Sequence, residues 1–167
     1  RADRIFHLNK LDDLKTKFPQ IEHLSGRLSF FGLISNGDLS VGGKIIGIDP
    51  VGEPSFKDSM RFPEGKFFDD LGAREVVIGR LLAKQMNVHP GDEIIVLPNT
   101  IDGLINAIDL RVVGVFPAGI DGFFFQVMYI RLLVTQEILY TQSVDIAVLK
   151  FKELSMDERS EKVINND

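Results

Sequence analysis

Apolar and polar positions follow their most regular pattern between Glu75 and Phe116, and that stretch predicts a strand, a short helix, a tight turn and a hairpin in succession. Glu75 to Ile78 is a β-rich run closed by Gly79. Ile78, Leu81, Leu82 and Met86 then recur at three- and four-residue steps, which marks one face of a helix. Asn87 stands where a helix end favours a left-handed residue, with Val88 placed to fold back onto Leu82 or Ala83. In His89-Pro90-Gly91-Asp92, Pro presets the first corner and Gly supplies positive φ at the second, a type II pattern. Glu93–Leu97 and Leu110–Phe116 read as strands joined through a polar, Gly-containing loop.

The flanks read in the same terms. Leu8, Leu11, Leu14 and Phe18 share a helical face, with Asp12 and Asp13 early, Lys15 and Lys17 late, and Pro19 as a stop. Arg27–Ser35 is a strand, Asn36-Gly37 a hairpin turn, and the return runs through Leu39–Val41 and Lys44–Ile48, with Gly42-Gly43 expected as a bulge or bend. Pro50, Gly52 and Pro54 break the chain, and Ser55–Leu71 is irregular apart from one helical turn near Lys57–Met60. Gly122–Ile130 is a near-continuous apolar strand, Leu132–Tyr140 a helix and Val144–Phe151 a last strand. Ser155 with Glu158 forms a capping box that opens a C-terminal helix. No sequence repeat is visible. Hairpins are frequent and strands alternate with helices only loosely, so the fold expected is α+β: a mixed sheet with β-hairpins and a few packed helices.

The order EVVIG, LLAKQMNV, HPGDEIIVL, LRVVGVF resembles the MacB/FtsX-type periplasmic core domain of ABC transporter permeases, and KIIGIDPVGE and MYIRLLVTQEIL fit the same frame. The GIDP element is most similar to the lipoprotein-releasing LolC/LolE branch. The resemblance implies a MacB-like core, residues 1–167 as a single extracytoplasmic domain excised from between transmembrane helices. The residues leave open a small second lobe around 50–72. It further implies an inner-membrane protein with this domain on the periplasmic side. Its partners would be the transmembrane segments of its own full-length chain, a cytoplasmic ATPase, a second permease copy, and a lipoprotein or other periplasmic cargo.

Composition narrows the alternatives. A formal charge of −5 with mixed signs gives no electrostatic reason to bind nucleic acid. The absence of cysteine excludes disulfides, thiolate metal sites and cysteine nucleophiles. No run approaches the roughly 18 apolar residues of a membrane span.

Candidate chemistry is sparse. His7, His23 and His89 lack the spacing that puts two ligands on one helix face, so no metal is expected. Asp12-Asp13 and Asp69-Asp70 are sequence neighbours whose side chains point apart, which suits a solvated face better than an acid/base pair. No G-x-S-x-G elbow is present. Gly42-Gly43-Lys44 fails as a phosphate loop, because Asp38 replaces its first Gly and Ile45 its Ser or Thr. No cofactor is therefore expected, and neither is catalysis.

Partner contact is the remaining role. The chain has 13 Phe and no Trp, and most of these rings are expected in the core. Phe67 and Phe68, in the irregular segment, are the candidates for an exposed patch. The loop Pro98-Asn99-Thr100-Ile101-Asp102-Gly103-Leu104 is the second candidate. In the LolC branch this hairpin carries an extended hook that captures a lipoprotein carrier; here it is shorter and lacks the proline-rich arm, so capture by a hook is not expected. Two other readings compete. V-H-P-G-D-E-I-I-V-L is also a turn-strand word of double-psi barrels, implying a cytosolic cofactor-binding or adaptor domain, although such barrels show the word twice. A stand-alone hydrolase is the third.

Overall fold

The computed structural model describes residues 6–69, 74–99, 106–117 and 126–152. In chain order these form β1 (Phe6–His7), α1 (Leu8–Lys17), β2 (Ile21–Ser35), β3 (Ser40–Ile48), α2 (Pro54–Ser59), β4 (Glu64–Gly65) and β5 (Glu75–Gly79). They continue as α3 (Arg80–Met86), β6 (Glu93–Pro98), β7 (Ile108–Phe116), β8 (Val127–Arg131), α4 (Leu132–Ile138), β9 (Ser143–Val144) and β10 (Ile146–Phe151). Parallel and antiparallel pairs share one sheet. The fold is α+β, as the hairpin-rich pattern indicates. The capping box at Ser155 and the Phe123 to Phe125 part of the apolar run lie outside the described residues.

The central stretch folds as its local chemistry dictates. Asn87 is left-handed (φ 51°), and the Asn87 and Val88 amides donate to Lys84 O at 3.2 Å and Ala83 O at 3.0 Å. That is the double closure of a Schellman end, and it returns Val88 to the core. Gly91 has φ 106° and the Asp92 amide donates to His89 O at 3.1 Å, closing the expected turn. The helix face shifts by one position: Leu82, Ala83 and Met86 are buried, whereas Leu81 is 43% exposed.

Two expectations about the first hairpin are corrected. β2 begins at Ile21, six residues before Arg27, because β10 pairs along its first half from Ile21 to Arg27. β3 runs through Gly42-Gly43 without a bulge, keeping Gly32 opposite Gly43 and Leu33 opposite Gly42. The glycine at 43 answers a need for space, since a Cβ there would lie 2.6 Å from Ile34 Cδ1.

Following the pairing from strand to strand gives β2-β3-β8-β5-β7-β6 and back to β2, so six strands close into a circuit, with β10 and β4 attached at its margins. Ile34, Ile45, Val76, Ile78, Ile94, Val96, Met128 and Ile130 are buried together with Leu82 and Met86 of α3 and Ile138 of α4 in one cluster.

The circuit has an approximate twofold repeat that the sequence does not announce. The hairpin β2-β3 followed by β5-α3 corresponds to β6-β7 followed by β8-α4. β5 lies parallel to β7 as β8 lies parallel to β3, and the two third strands exchange between units. Both third strands have five residues and both helices seven, entered through Gly79 at φ −65°, ψ 142° and Arg131 at φ −67°, ψ 142°. Both helices close alike, with Tyr140 at φ 49° and the Thr141 amide on Gln136 O at 3.0 Å. The pairs Ile34–Val96 and Val77–Tyr129 lie where β2 meets β6 and β5 meets β8, the two crossings of the axis.

One unit carries an addition. α1, β1, β9, β10 and the first half of β2 form a terminal layer with its own small core, in which Leu28, Leu132 and Val144 pack with Leu14, Leu24 and Ala147. The segment 53–68 lies against the sheet, where Phe56, Phe62, Phe67 and Phe68 pack with Ile48, Val77, Val113, Phe116 and Tyr129.

Candidate functional site

The described part of the predicted partner loop is its start. Pro98 is buried opposite Gly32 at the end of β6, and the Asn99 amide donates to Phe31 O at 3.2 Å. Thr100, Ile101, Asp102, Gly103 and Leu104 lie outside the described residues. Strand alternation turns Ile34 and Val96 inward and therefore Phe31, Leu33 and Leu97 outward. Leu33 stands between Leu97 of β6 and Gly42 of β3, and a Cβ on Gly42 would meet nothing within 4 Å. The missing side chain leaves an open hollow of about 500 Å³ floored by glycine, walled by Phe31, Leu33, Leu97 and Pro98, and rimmed by Lys44, Asn99 and Gln126. Phe31 is 62% and Leu33 45% exposed, so this wall is apolar surface rather than core.

Phe67 and Phe68 are elsewhere, and Phe68 does not form the exposed patch expected of it. Its ring is 1% exposed beneath Phe67, at 4.3 Å between centroids, and Phe67 meets Phe62 edge-on at 5.8 Å. A segment that looks irregular by periodicity is held down by these rings, and an exposed site drawn from it fails at Phe68 for that reason.

The structure also assembles a polar seam that sequence reasoning missed. The Arg27 Nε donates to Glu53 Oε1 at 2.9 Å and Oε2 at 3.1 Å, and its Nη2 also donates to Glu53 Oε2. The Glu53 side chain is 4% exposed and that of Arg27 22%. Arg27 lies over the Phe56 ring, 4.6 Å from its centroid, a cation–π arrangement. Hydrogen bonding to Glu53 raises the guanidinium above its ordinary pKa; burial opposes this, and the charge of Glu53 adds to it. Nearby, Asp145 Oδ2 accepts from the Ser29 amide at 3.2 Å and the Ser29 hydroxyl at 2.9 Å. No spacing rule joins residues 26 and 116 positions apart; Glu53 between Gly52 and Pro54 reads only as a breaker segment.

Among the described residues no group of three or more His, Cys, Asp or Glu is placed to hold a metal ion. His23 stands 3.9 Å from Glu22, and His89 4.0 Å from Asp92, each against its own sequence neighbours on the surface. No helix among the described residues is long and apolar enough to cross a membrane.

Comparison with known proteins agrees with this geometry. Residues 2–162 match the family model described as the MacB-like periplasmic core domain. The fold is similar to the extracellular domain of the noncanonic ABC-type transporter YknZ from Gram-positive bacteria, with TM-score 0.67 and 16% identity over 95% of this chain and 79% of that one. It is equally similar to the periplasmic region of MacB from Actinobacillus actinomycetemcomitans, with TM-score 0.66 and 16% identity over 95% of this chain and 71% of that one. A direct sequence comparison with curated proteins gives no match.

Proposed function

The chain belongs to the family of MacB-like periplasmic core domains, and from that premise we propose that it works as the non-catalytic, motion-coupling lobe of an ABC transporter permease. In this reading residues 1–167 are one extracytoplasmic domain carried on transmembrane helices of the inner membrane. ATP is hydrolysed by a separate cytoplasmic subunit or domain, and a second permease copy completes the transporter. The observation that carries it is mechanical. α1 and β10 both attach to the first half of β2, and the Lys152 amide donates to Gln20 O at 2.9 Å, where the described chain leaves beside the end of α1. Movement delivered to this layer reaches a closed, well-packed circuit that can move as one piece.

For contact with cargo or a periplasmic partner we assign the end of the β6-β7 hairpin, from Pro98 to Leu104, together with Phe31 and Leu33. Lipoprotein release of the LolC/LolE kind and MacB-like efflux are the two cargo classes this reading offers. The closed circuit with its twofold repeat supports the architectural half of the double-psi-barrel alternative. Membership of a permease family favours transport over a cytosolic adaptor role.

The test uses the full-length permease with its ATPase in proteoliposomes, with spin labels on the exposed Lys84 of each copy and a second pair, Lys84 and Glu93, within one copy. Nucleotide should change the inter-copy distance and leave the intra-domain one fixed. An inter-copy distance indifferent to nucleotide would overturn the lever.

A further inference from the structure

β2 changes partners between two adjacent residues. Its first half pairs with β10 up to Arg27, opposite Ile146, and its second half pairs with β3 from Leu28, opposite Gly47. On the β10 side, strand pairing stops at Arg27 and resumes only at Gly32, opposite Pro98 of β6. At the edge of that gap the Asp145 backbone amide still donates to Arg27 O at 2.9 Å, and within it the Asp145 carboxylate takes the Ser29 amide in place of a ladder partner. The other carboxylate oxygen, Asp145 Oδ1, is buried with no hydrogen-bond partner among the described residues.

The packing divides a little further along the strand, after Leu28. Leu28 belongs to the small core of the terminal layer, whereas Ile34, six residues on, belongs to the core of the circuit. Two cores joined by one continuous strand are the makings of two cooperative units. α4 touches both, giving Leu132 to one and Val134 and Ile138 to the other. Gln136 Nε2 of α4 also donates to Ser143 O of β9 at 3.3 Å, and the Arg27–Glu53 pair fastens the last residue of the β10-paired half to the segment that follows β3. Arg27 also covers Phe56, whose edge meets Tyr129 of β8 at 5.2 Å between centroids.

We propose that the terminal layer pivots on β2 at Arg27–Leu28 as a unit separate from the six-strand circuit, with the Arg27–Glu53 pair as the catch that holds it in register. The pivot deepens the lever reading, on which its purpose rests, by naming the joint through which motion enters.

Amide hydrogen exchange of the whole 167-residue chain tests it. In the unaltered protein under mild denaturant, β10 and Ile21–Arg27 should exchange through a lower-energy opening than β5, β6 and β7. At low denaturant, where the partial opening dominates, Glu53→Gln should accelerate the first set at least about tenfold, with the second set still exchanging only through the higher, global opening. Arg27→Lys, which keeps the charge but loses the two-pronged grip, should do the same to a smaller extent. Equal openings in the unaltered protein, or no acceleration of the first set by Glu53→Gln, would each overturn the pivot. Exchange in the isolated chain is independent of nucleotide, so a failed pivot leaves the lever standing, and a failed inter-copy distance change leaves the pivot standing.

Discussion

Asn36 Nδ2 donates to Met86 O at 2.7 Å, so the turn of the first hairpin closes the end of a helix 50 residues away. The same side chain organises its own turn, its Oδ1 accepting from the Asp38 amide at 3.1 Å and the Leu39 amide at 2.7 Å. Asn36 therefore needs a donor and an acceptor on one short side chain. Asn36→Asp keeps the acceptor and sets a carboxylate against the Met86 carbonyl. It should cost about 1–3 kcal/mol, the range for leaving a buried donor or acceptor without its partner. Urea denaturation should show this as a lower midpoint with an unchanged slope.

That contact marks the boundary of what the sequence made legible. The Schellman end at Asn87, the His89–Asp92 turn and the Asn36-Gly37 hairpin were readable because each is decided within about four residues. The identity of the fold was readable because those local words occur in a recognisable order. What failed was non-local. Ile21–Gly26 is a strand because β10 lies beside it, and its own pattern of Glu22, His23, Ser25 and Gly26 gives no alternation to read. At Gly42-Gly43 glycine signals a bulge, a bend or a need for room alike, and only Ile34 across the ladder decides for room. The internal repeat is masked because Ile78-Gly79-Arg80 and Ile130-Arg131-Leu132 correspond by strand register and helix entry, whereas their similar Arg-Leu-Leu letters sit one position out of step. Of the candidate site, Pro98 and Asn99 end at the glycine-floored hollow, whose floor on β3 and wall on β2 could not be inferred from the loop.

Gly47 offers a test of how tightly α4 lies on the circuit. A Cβ at Gly47 would meet Thr135 Oγ1 below any allowed contact, Thr135 Cβ at 2.6 Å and Leu132 Cα at 3.2 Å. Thr135 is fully buried and its hydroxyl donates to Arg131 O at 3.2 Å, so it cannot swing away. Gly47→Ala should destabilise by about 2–3 kcal/mol through overpacking. Gly47→Ala with Thr135→Gly should be more stable than the sum of the two single changes predicts, as read by a thermal double-mutant cycle.

The Arg27–Glu53 pair should show strong coupling rather than large net stabilisation. Removing either partner leaves the other charge poorly solvated, so Arg27→Met or Glu53→Met should each cost about 2–3 kcal/mol, somewhat below the figure for a fully buried pair because Arg27 keeps some water contact. Arg27→Met with Glu53→Met removes both charges and replaces them with flexible apolar side chains beside Phe56. The double variant should be no less stable than the better single one. A double variant as unstable as the sum of both singles would show that the two residues act independently.

The same pair fixes how stability responds to base. Its guanidinium is held above its ordinary pKa chiefly by the hydrogen bonds to Glu53. A group whose folded pKa is raised contributes stability that is fully present below its unfolded pKa and is lost only as pH climbs through the folded value. For arginine that window lies beyond the working range of most proteins. The stability difference between the unaltered protein and Arg27→Met should therefore stay constant from neutral to about pH 11, measured by urea denaturation at each pH. Arg27→Lys should behave differently, because an ammonium begins to lose its proton near the upper end of that range. Its deficit against the unaltered protein should widen there, and a flat deficit would mean that the charge on residue 27 is not what Glu53 holds.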